Sequence, residues 1–366
     1  MKKIGLFGGS FDPVHIGHIS IASVALNELG LDEVQFIPTG HNPWKDDNHT
    51  EDYHRLNMLK LALKDEKNIT INTIEIDDDS NEKNYTVFTL EKLVALNPDV
   101  KYYYIMGMDQ ANAFDKWKEA SKISELVQLV TFHRGGYEKE NDNIVKYNFI
   151  VLENEPIHAS STEIRNGRID MLCPDVLRYI VKEGLYLEGI ISAKLKGKRW
   201  HHSISVANLA RDIAKANNLN EKQAYIAGMF HDIAKQIDDD ITYKMMEEHY
   251  KEHIDSSPAV YHQWVSRYMS EHEYLIEDEV ILNAIEHHTT AHVDISPIGK
   301  CVYVADKLDP LRGYDVTSQI ALCKDNIHEG FKQSLIDFYE FSKSKNRSID
   351  DCFYEIYDKF VVKGEI

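Results

Sequence analysis

Short apolar runs alternate, along the first half of the chain, with stretches whose apolar positions recur every three to four residues. Residues 4–7 read as a buried strand. Residues 18–29 place Ile21, Val24, Ala25 and Leu29 at a helical period, and residues 34–38 form a second strand. Residues 54–63 are helical, with Met58, Leu61 and Ala62 in register. Residues 69–74 alternate at period two, and residues 102–106 make a further strand. Strands alternating with helices predict a parallel sheet covered on both faces, an α/β domain. Ligands of such sheets bind beyond the carboxyl ends of the strands.

From about residue 195 the strand pattern vanishes and amphipathic helices follow. His202, Val206, Leu209 and Ile213 fall at steps of four, three and four, one buried helical face. Residues 189–198, with two glycines and several lysines, read as a linker. The expected domains are therefore 1–189, α/β, and 195–366, all-α.

Composition narrows the partners. The chain has 366 residues and a formal net charge of -19. That excess of acid repels phosphate backbones and anionic lipid, so no nucleic acid and no membrane is expected as a partner. The four cysteines are scattered with no C-x-x-C pair, as suits a reducing compartment. No apolar stretch follows Lys2 and Lys3, so a cytoplasmic protein is expected. Eleven of the 18 histidines lie in the helical part, an imbalance that demands a chemical cause.

Two stretches carry candidate chemistry. The first strand ends in Gly8-Gly9, which lets the backbone turn sharply and approach a ligand. The helix after it points its N-terminal amides into the same crevice, with His15 and His18 at its entrance, a geometry suited to a nucleotide phosphate. The whole string Gly8-Gly9-Ser10-Phe11-Asp12-Pro13-Val14-His15-Ile16-Gly17-His18 resembles the nucleotidyltransferases with an HxGH signature, and more narrowly bacterial nicotinate-nucleotide adenylyltransferase. Further matches are Pro43-Trp44-Lys45, Arg55 and Met58, Tyr85-Thr86, Thr89-Leu90, Gly107 and Asp109, Trp117, and Ser160-Ser161-Thr162-Glu163-Ile164-Arg165.

The resemblance implies a Rossmann-like sheet and transfer of AMP from ATP, with Mg²⁺, to nicotinate mononucleotide. It assigns His15, His18 and Arg165 to the reacting phosphates. Gly8, Gly9, Ser10, Phe11, Lys45, Gly107, Asp109, Ser161, Thr162 and Arg165 would bind the nucleotide. Tyr85, Thr86, Trp117 and Arg134 would bind the acceptor. Ser161 also fits an ordinary helix cap. Another acceptor of the same fold, such as phosphopantetheine, is the alternative.

In the helical part, His202, His231-Asp232, His262, His288 and Asp306 fall on inward-facing positions. Buried carboxylates need a partner, and a cation is the natural one. Imidazole and carboxylate without thiolate suit Fe, Mn, Mg or Co rather than structural zinc. The strings His231-Asp232-Ile233-Ala234-Lys235, Ala284-Ile285-Glu286-His287-His288-Thr289 and Ala305-Asp306-Lys307-x-Asp309-Pro310-x-Arg312 resemble HD-domain phosphohydrolases, notably the bacterial hydrolases of diadenosine tetraphosphate. That resemblance implies two metals, iron before manganese, cobalt or magnesium. The ligands would be His202, His231, Asp232, His262, His288 and Asp306, with Asp232 bridging, and Lys235 and Arg312 would neutralise the cleaved polyphosphate. Dinucleoside polyphosphates would be the substrates. A nucleotide-sensing module without catalysis is the alternative.

Overall fold

The computed structural model describes residues 1–40, 50–78, 84–133, 141–155, 158–347 and 349–365. The chain forms two compact units. One comprises Met1–Ile164 and Arg168–Val176, the other Arg165–Gly167 and Leu177–Ile366.

The first unit is built on six parallel strands: β1 (Lys2–Gly9), β2 (Glu33–Pro38), β3 (Ile69–Ile71), β4 (Val100–Gly107), β5 (Gln128–Phe132) and β6 (Ile150–Val151). Their order is β3-β2-β1-β4-β5-β6. The order runs outward from the β1–β4 pair, so a crevice opens beyond the carboxyl ends of these two strands. Their register runs from Lys2 beside Val100 to Phe7 beside Ile105. Gly8-Gly9 and Gly107 therefore leave the sheet side by side. Side chains alternate across the sheet. Ile4 and Leu6 join Tyr102, Tyr104 and Met106 under α3 (Thr86–Leu96), which contributes Val87, Leu90 and Leu93. On the opposite face, Phe7 packs edge-on against Phe36 and Phe132. The connections include α1 (Ile16–Leu29) and α2 (Asp52–Ala62).

Two sequence expectations shift here. The strand expected over 69–74 stops at Ile71, because the Asn72 carboxamide takes the Ile74 N–H at 3.1 Å and turns the chain. The stretch 189–198 is packed rather than a linker. Ile190, Ile191 and Leu195 are at most 1% exposed, and the Trp200 indole donates to the Glu188 carbonyl at 2.7 Å. Helix Pro174–Glu183 joins the helical unit from Leu177 onward, where Leu177, Ile180 and Val181 are buried. The chain passes between its units near 164–177, not at 189. Glycine and lysine content concealed an apolar face spaced at helical period.

In the helical unit, helix Lys198–Ala216 packs against helix Glu221–Phe230. Contact is close because position 228 is glycine: a Cβ there would fall 2.5 Å from the Ala207 Cα. Helices Tyr261–His272, Glu279–Glu286 and Pro297–Lys307 complete the core around this pair. Among the described residues, no helix is long and apolar enough to cross a membrane.

Candidate functional site

In the sheet unit the site grows from the end of β1. A Cβ on Gly8 would come within 2.5 Å of the Tyr104 hydroxyl, so only glycine lets β1 pass over that ring. Phe11 takes a left-handed conformation, φ +49°, and tucks its ring under the strand against Phe7 and Phe36. His15 caps α1. Its N–H donates to His18 Nδ1 at 3.2 Å, and the two imidazoles lie 3.7 Å apart between ring centroids. The His18 ring rests on Phe11 and Phe7. The two histidines are thus fixed as a pair by cap geometry, on an apolar floor.

Arg55, 1% exposed, reaches from α2 to the Ser10 carbonyl at 2.9 Å and the Thr39 carbonyl at 2.6 Å, with Asp52 as its ion partner. It clamps the loops after β1 and β2 together. A buried guanidinium is a costly device unless its donors are satisfied in this way.

Gly107 begins the turn into helix Met108–Asn112, which carries Asp109. Tyr85 caps α3, its ring beneath Lys118 Nζ at 4.2 Å, and Thr86 hydrogen-bonds the buried Tyr104 hydroxyl. Trp117 is half-buried against Phe114 and Tyr104. Ser161 begins a five-residue helix, Ser161–Arg165, and its hydroxyl donates to the Pro13 carbonyl at 2.9 Å. The capping reading belongs to its neighbour: Ser160 Oγ accepts the Glu163 N–H at 3.1 Å. Thr162 follows, exposed. Arg165 ends that helix and groups with the helical unit. Lys45 and Arg134 lie outside the described residues.

The helical unit brings all six expected side chains together. Helix Lys198–Ala216 presents His202, helix Glu221–Phe230 delivers His231 and Asp232 at its end, and helix Tyr261–His272 supplies His262. His288 follows helix Glu279–Glu286, and Asp306 lies near the end of helix Pro297–Lys307. Asp232 stands at the middle. Its Oδ2 lies 3.7 Å from His231 Nε2 and 3.9 Å from His202 Nε2, whereas its Oδ1 lies 3.3 Å from His262 Nε2 and 3.6 Å from His288 Nε2. His202, His231 and Asp232 form one group, and Asp232, His262 and His288 another, with ligand atoms within 4.8 Å of one another in each. Asp306 Oδ1 joins the first at 3.1 Å from His202 Nε2.

The donor chemistry fits cations. His231 Nδ1 and His288 Nδ1 each donate to a backbone carbonyl, of Gly228 and Ile285, at 2.7 Å. That leaves each Nε2 lone pair facing inward. The His231 Nε2 is buried without a hydrogen-bond partner. Burial pushes His231 down to about 4 and His262 down to about 3, so both rings are neutral. Asp232 and Asp306 are held well below the usual carboxylate range; burial opposes this, and the neighbouring histidines, joined at Asp306 by the charge of Lys307, outweigh it. Burial would lower His202 too, but its bonds to Asp306 and Asp309 hold it up to about 9.

Sequence reading gave Asp309 and Arg199 no role at this centre. Asp309 Oδ2 accepts a hydrogen bond from His202 Nδ1 at 2.6 Å and its other oxygen accepts one from Ser205 Oγ at 2.6 Å. Arg199 bonds Asp232 Oδ2 at 2.7 Å. Arg199, His202 and Ser205 are spaced by three, so their shared face was available in the sequence. Arg312 bonds Asp306 Oδ1 at 2.8 Å, and Lys235 Nζ donates to His262 Nδ1 at 2.9 Å. His287, beside His288, turns away and stacks on His292 at 4.5 Å.

Comparison with known proteins agrees with both halves. The Cytidylyltransferase-like profile matches residues 6–167 and the HD domain profile residues 199–311. A Mycoplasma genitalium protein named "Probable nicotinate-nucleotide adenylyltransferase/Ap4A hydrolase" is 30% identical over 342 residues, 91% of this chain and 97% of the relative. The Bacillus subtilis nicotinate-nucleotide adenylyltransferase is 33% identical over 193 residues, 51% of this chain and 99% of its own. Among solved structures, a Clostridium acetobutylicum "predicted HD superfamily hydrolase involved in NAD metabolism" is 25% identical with a TM-score of 0.45, covering 48% of this chain and 96% of its own. The near-complete coverage of a relative that itself joins both parts decides the assignment: this enzyme belongs to the family of fused nicotinate-nucleotide adenylyltransferase/Ap4A hydrolases.

Proposed function

We propose that the sheet unit transfers the adenylyl group of ATP to nicotinate mononucleotide, and that the helical unit cleaves dinucleoside polyphosphates such as diadenosine tetraphosphate into two ADP. In the transfer, a phosphate oxygen of the acceptor attacks the α-phosphorus. The bond from that phosphorus to the bridging oxygen breaks, and pyrophosphate leaves with the electron pair. The attacking phosphate is already ionised, so positioning and charge stabilisation suffice. Gly8-Gly9 admit the phosphates to the backbone, with Ser10 and Phe11 shaping the loop. His15 and His18 donate N–H groups to the reacting phosphate oxygens. Gly107, Asp109, Ser161 and Thr162 complete the nucleotide side, and Lys45 belongs to the same proposal. Tyr85, Thr86, Trp117 and Arg134 take the acceptor. Mg²⁺ enters with the triphosphate. The observation that carries this half is the capped histidine pair at the β1–β4 crevice.

In the helical unit, His202, His231, Asp232 and Asp306 would hold one cation and Asp232, His262 and His288 a second. Iron is favoured, with manganese, cobalt or magnesium also matching the donors. When bound, such ions supply an activated water and neutralise phosphate charge. The chain's own residues do the rest. Asp232 presents one oxygen to each group, Asp309 orients His202, and Lys235 and Arg312 flank the site with positive charge for the polyphosphate. Water adds to an inner phosphorus, the bridging P–O bond breaks, and ADP leaves on each side. The carrying observation is the division of Asp232's two oxygens between two histidine groups.

The test uses the full-length protein. ATP and nicotinate mononucleotide should give pyrophosphate and deamido-NAD, and diadenosine tetraphosphate should give two ADP in a chelator-sensitive reaction. Formation of AMP and ATP would overturn the symmetrical cleavage. A metal-loaded protein that binds diadenosine tetraphosphate without turnover would make the helical unit a sensor.

A further inference from the structure

A second polar cluster in the sheet unit has no part in the roles assigned above. Glu75 sits in the turn after β3. Its carboxylate accepts the Thr89 hydroxyl at 2.9 Å and the Gly40 N–H, while its carbonyl accepts the Asn84 carboxamide at 2.8 Å. Gly40 presses against it so closely that a Cβ there would fall 2.4 Å from the Glu75 carbonyl oxygen. Thr89 lies one turn inside α3, whose N-terminus carries Tyr85 and Thr86. Gly40 follows Thr39, whose N–H donates to the Gly9 carbonyl at 2.9 Å and whose carbonyl takes Arg55. Thr86 in turn holds the Tyr104 hydroxyl that lies against Gly8. One carboxylate thus joins the loop tied to the phosphate turn and the helix that starts the acceptor side.

We propose that Glu75 is a positioning residue for adenylyl transfer: by holding the Gly40 N–H and the Thr89 hydroxyl together, it sets the spacing between the loop after β2 and the acceptor-side start of α3. The inference rests on the transferase reading above. Glu75 touches no reacting atom and acts through Thr89 and Gly40. Its ionisation gives the arrangement a signature. Burial pushes Glu75 up to about 7, against the opposing bonds from Thr89 and Gly40 and the charge of Arg55. Among the described residues, the ionisable groups facing it are Arg55 from α2 and the phenol of Tyr104 from β4, which stays protonated. As pH falls through 7 the carboxylate takes a proton, and two charge-assisted bonds become neutral ones of roughly half the strength. The acceptor side then loosens.

The experiment measures kcat and acceptor KM of the full-length protein between pH 6 and 9 for wild type, Glu75→Gln, Thr89→Val and Thr89→Ser, with thermal melts of each. Glu75→Gln should raise the acceptor KM about tenfold at pH 8, the size of one lost charge-assisted bond, with kcat changed by less than about threefold. It should also lack the component of the wild-type pH profile centred near 7. Thr89→Val should copy the KM effect at pH 8, and Thr89→Ser, which keeps the hydroxyl, should restore it. Wild-type KM and pH profile in Glu75→Gln would overturn the inference. If that variant fails to fold, wild-type KM in Thr89→Val overturns it instead. An inactive wild-type protein would refute the transferase reading itself, and this inference with it.

Discussion

At the end of β1 the crevice is framed by main chain: Gly8 leaves room for the Tyr104 hydroxyl packed against it, and the two histidines are set by a helix cap. In the helical unit the opposite holds, since five buried side chains and the partly buried Asp306 converge, every one from a helix or its end. A crevice framed by main chain tolerates the loss of one side chain as a partial loss of stabilisation. A centre made only of side chains, with one carboxylate shared, does not. Substitutions in the two units should therefore differ in kind.

The largest effect expected is at Asp232. Its replacement by alanine should abolish hydrolysis, below about a thousandth of wild type, while adenylyl transfer on the same preparation is unchanged. Elemental analysis should show the metal content falling together with activity. Two retained metals and normal cleavage would break the comparison. Next comes His18→Ala, which should reduce pyrophosphate release about 10²–10³-fold, the usual loss on removing one donor to developing charge, with hydrolysis intact. A loss as complete as at Asp232 would mean that the crevice, too, hangs on one side chain. Asp309→Asn keeps shape but removes the charge that orients His202. Metal affinity measured by competition with a chelator should fall about 10- to 100-fold.

The smallest effect lies away from both sites. Lys300 is 2% exposed, among the rings of Phe331 and Phe360, with His328 as its hydrogen-bond partner and Lys359 nearby. Burial, helped by Lys359, pushes it down to about 8, against 10.5 in the unfolded chain. Below pH 8 both states are protonated and the full cost of burying the charge falls on the fold. Between 8 and 10.5 the unfolded chain binds more protons, so stability rises with pH. Lys300→Met should raise Tm by a few degrees at pH 7, with the gain shrinking toward pH 10. A gain that does not depend on pH would point to packing alone.

The sequence made the two centres legible to different depths. His202, His231, Asp232, His262, His288 and Asp306 could be read because helical spacing fixes which face a residue occupies, and a buried face with charge on it is conspicuous. Asp309 could be placed but not given a role, since its grip on His202 depends on how two distant helices cross. In the sheet unit, β1, β2 and β4 were clear as apolar runs. β5 and β6, of five and two residues, are too short to stand out from loop. Adjacent serines defeated the cap reading: Ser160 and Ser161 are equivalent as residue types, and only the backbone decides that Ser160 bonds Glu163. Nothing in the sequence sets Glu75 apart from the acidic residues that follow it. Its burial comes from Gly40 and α3, neither of which is near it in the chain.

The guanidinium of Arg55 has a consequence for motion. It holds one carbonyl from the loop after β1 and one from the loop after β2, in a place where water does not reach. Moving either carbonyl away alone would take one acceptor from a buried cation, a greater cost than breaking an exposed hydrogen bond. The backbone at Ser10 and at Thr39 is therefore coupled through one side chain. A ligand that stills the first stills the second, and the crevice acquires communication between its two walls without any change of shape.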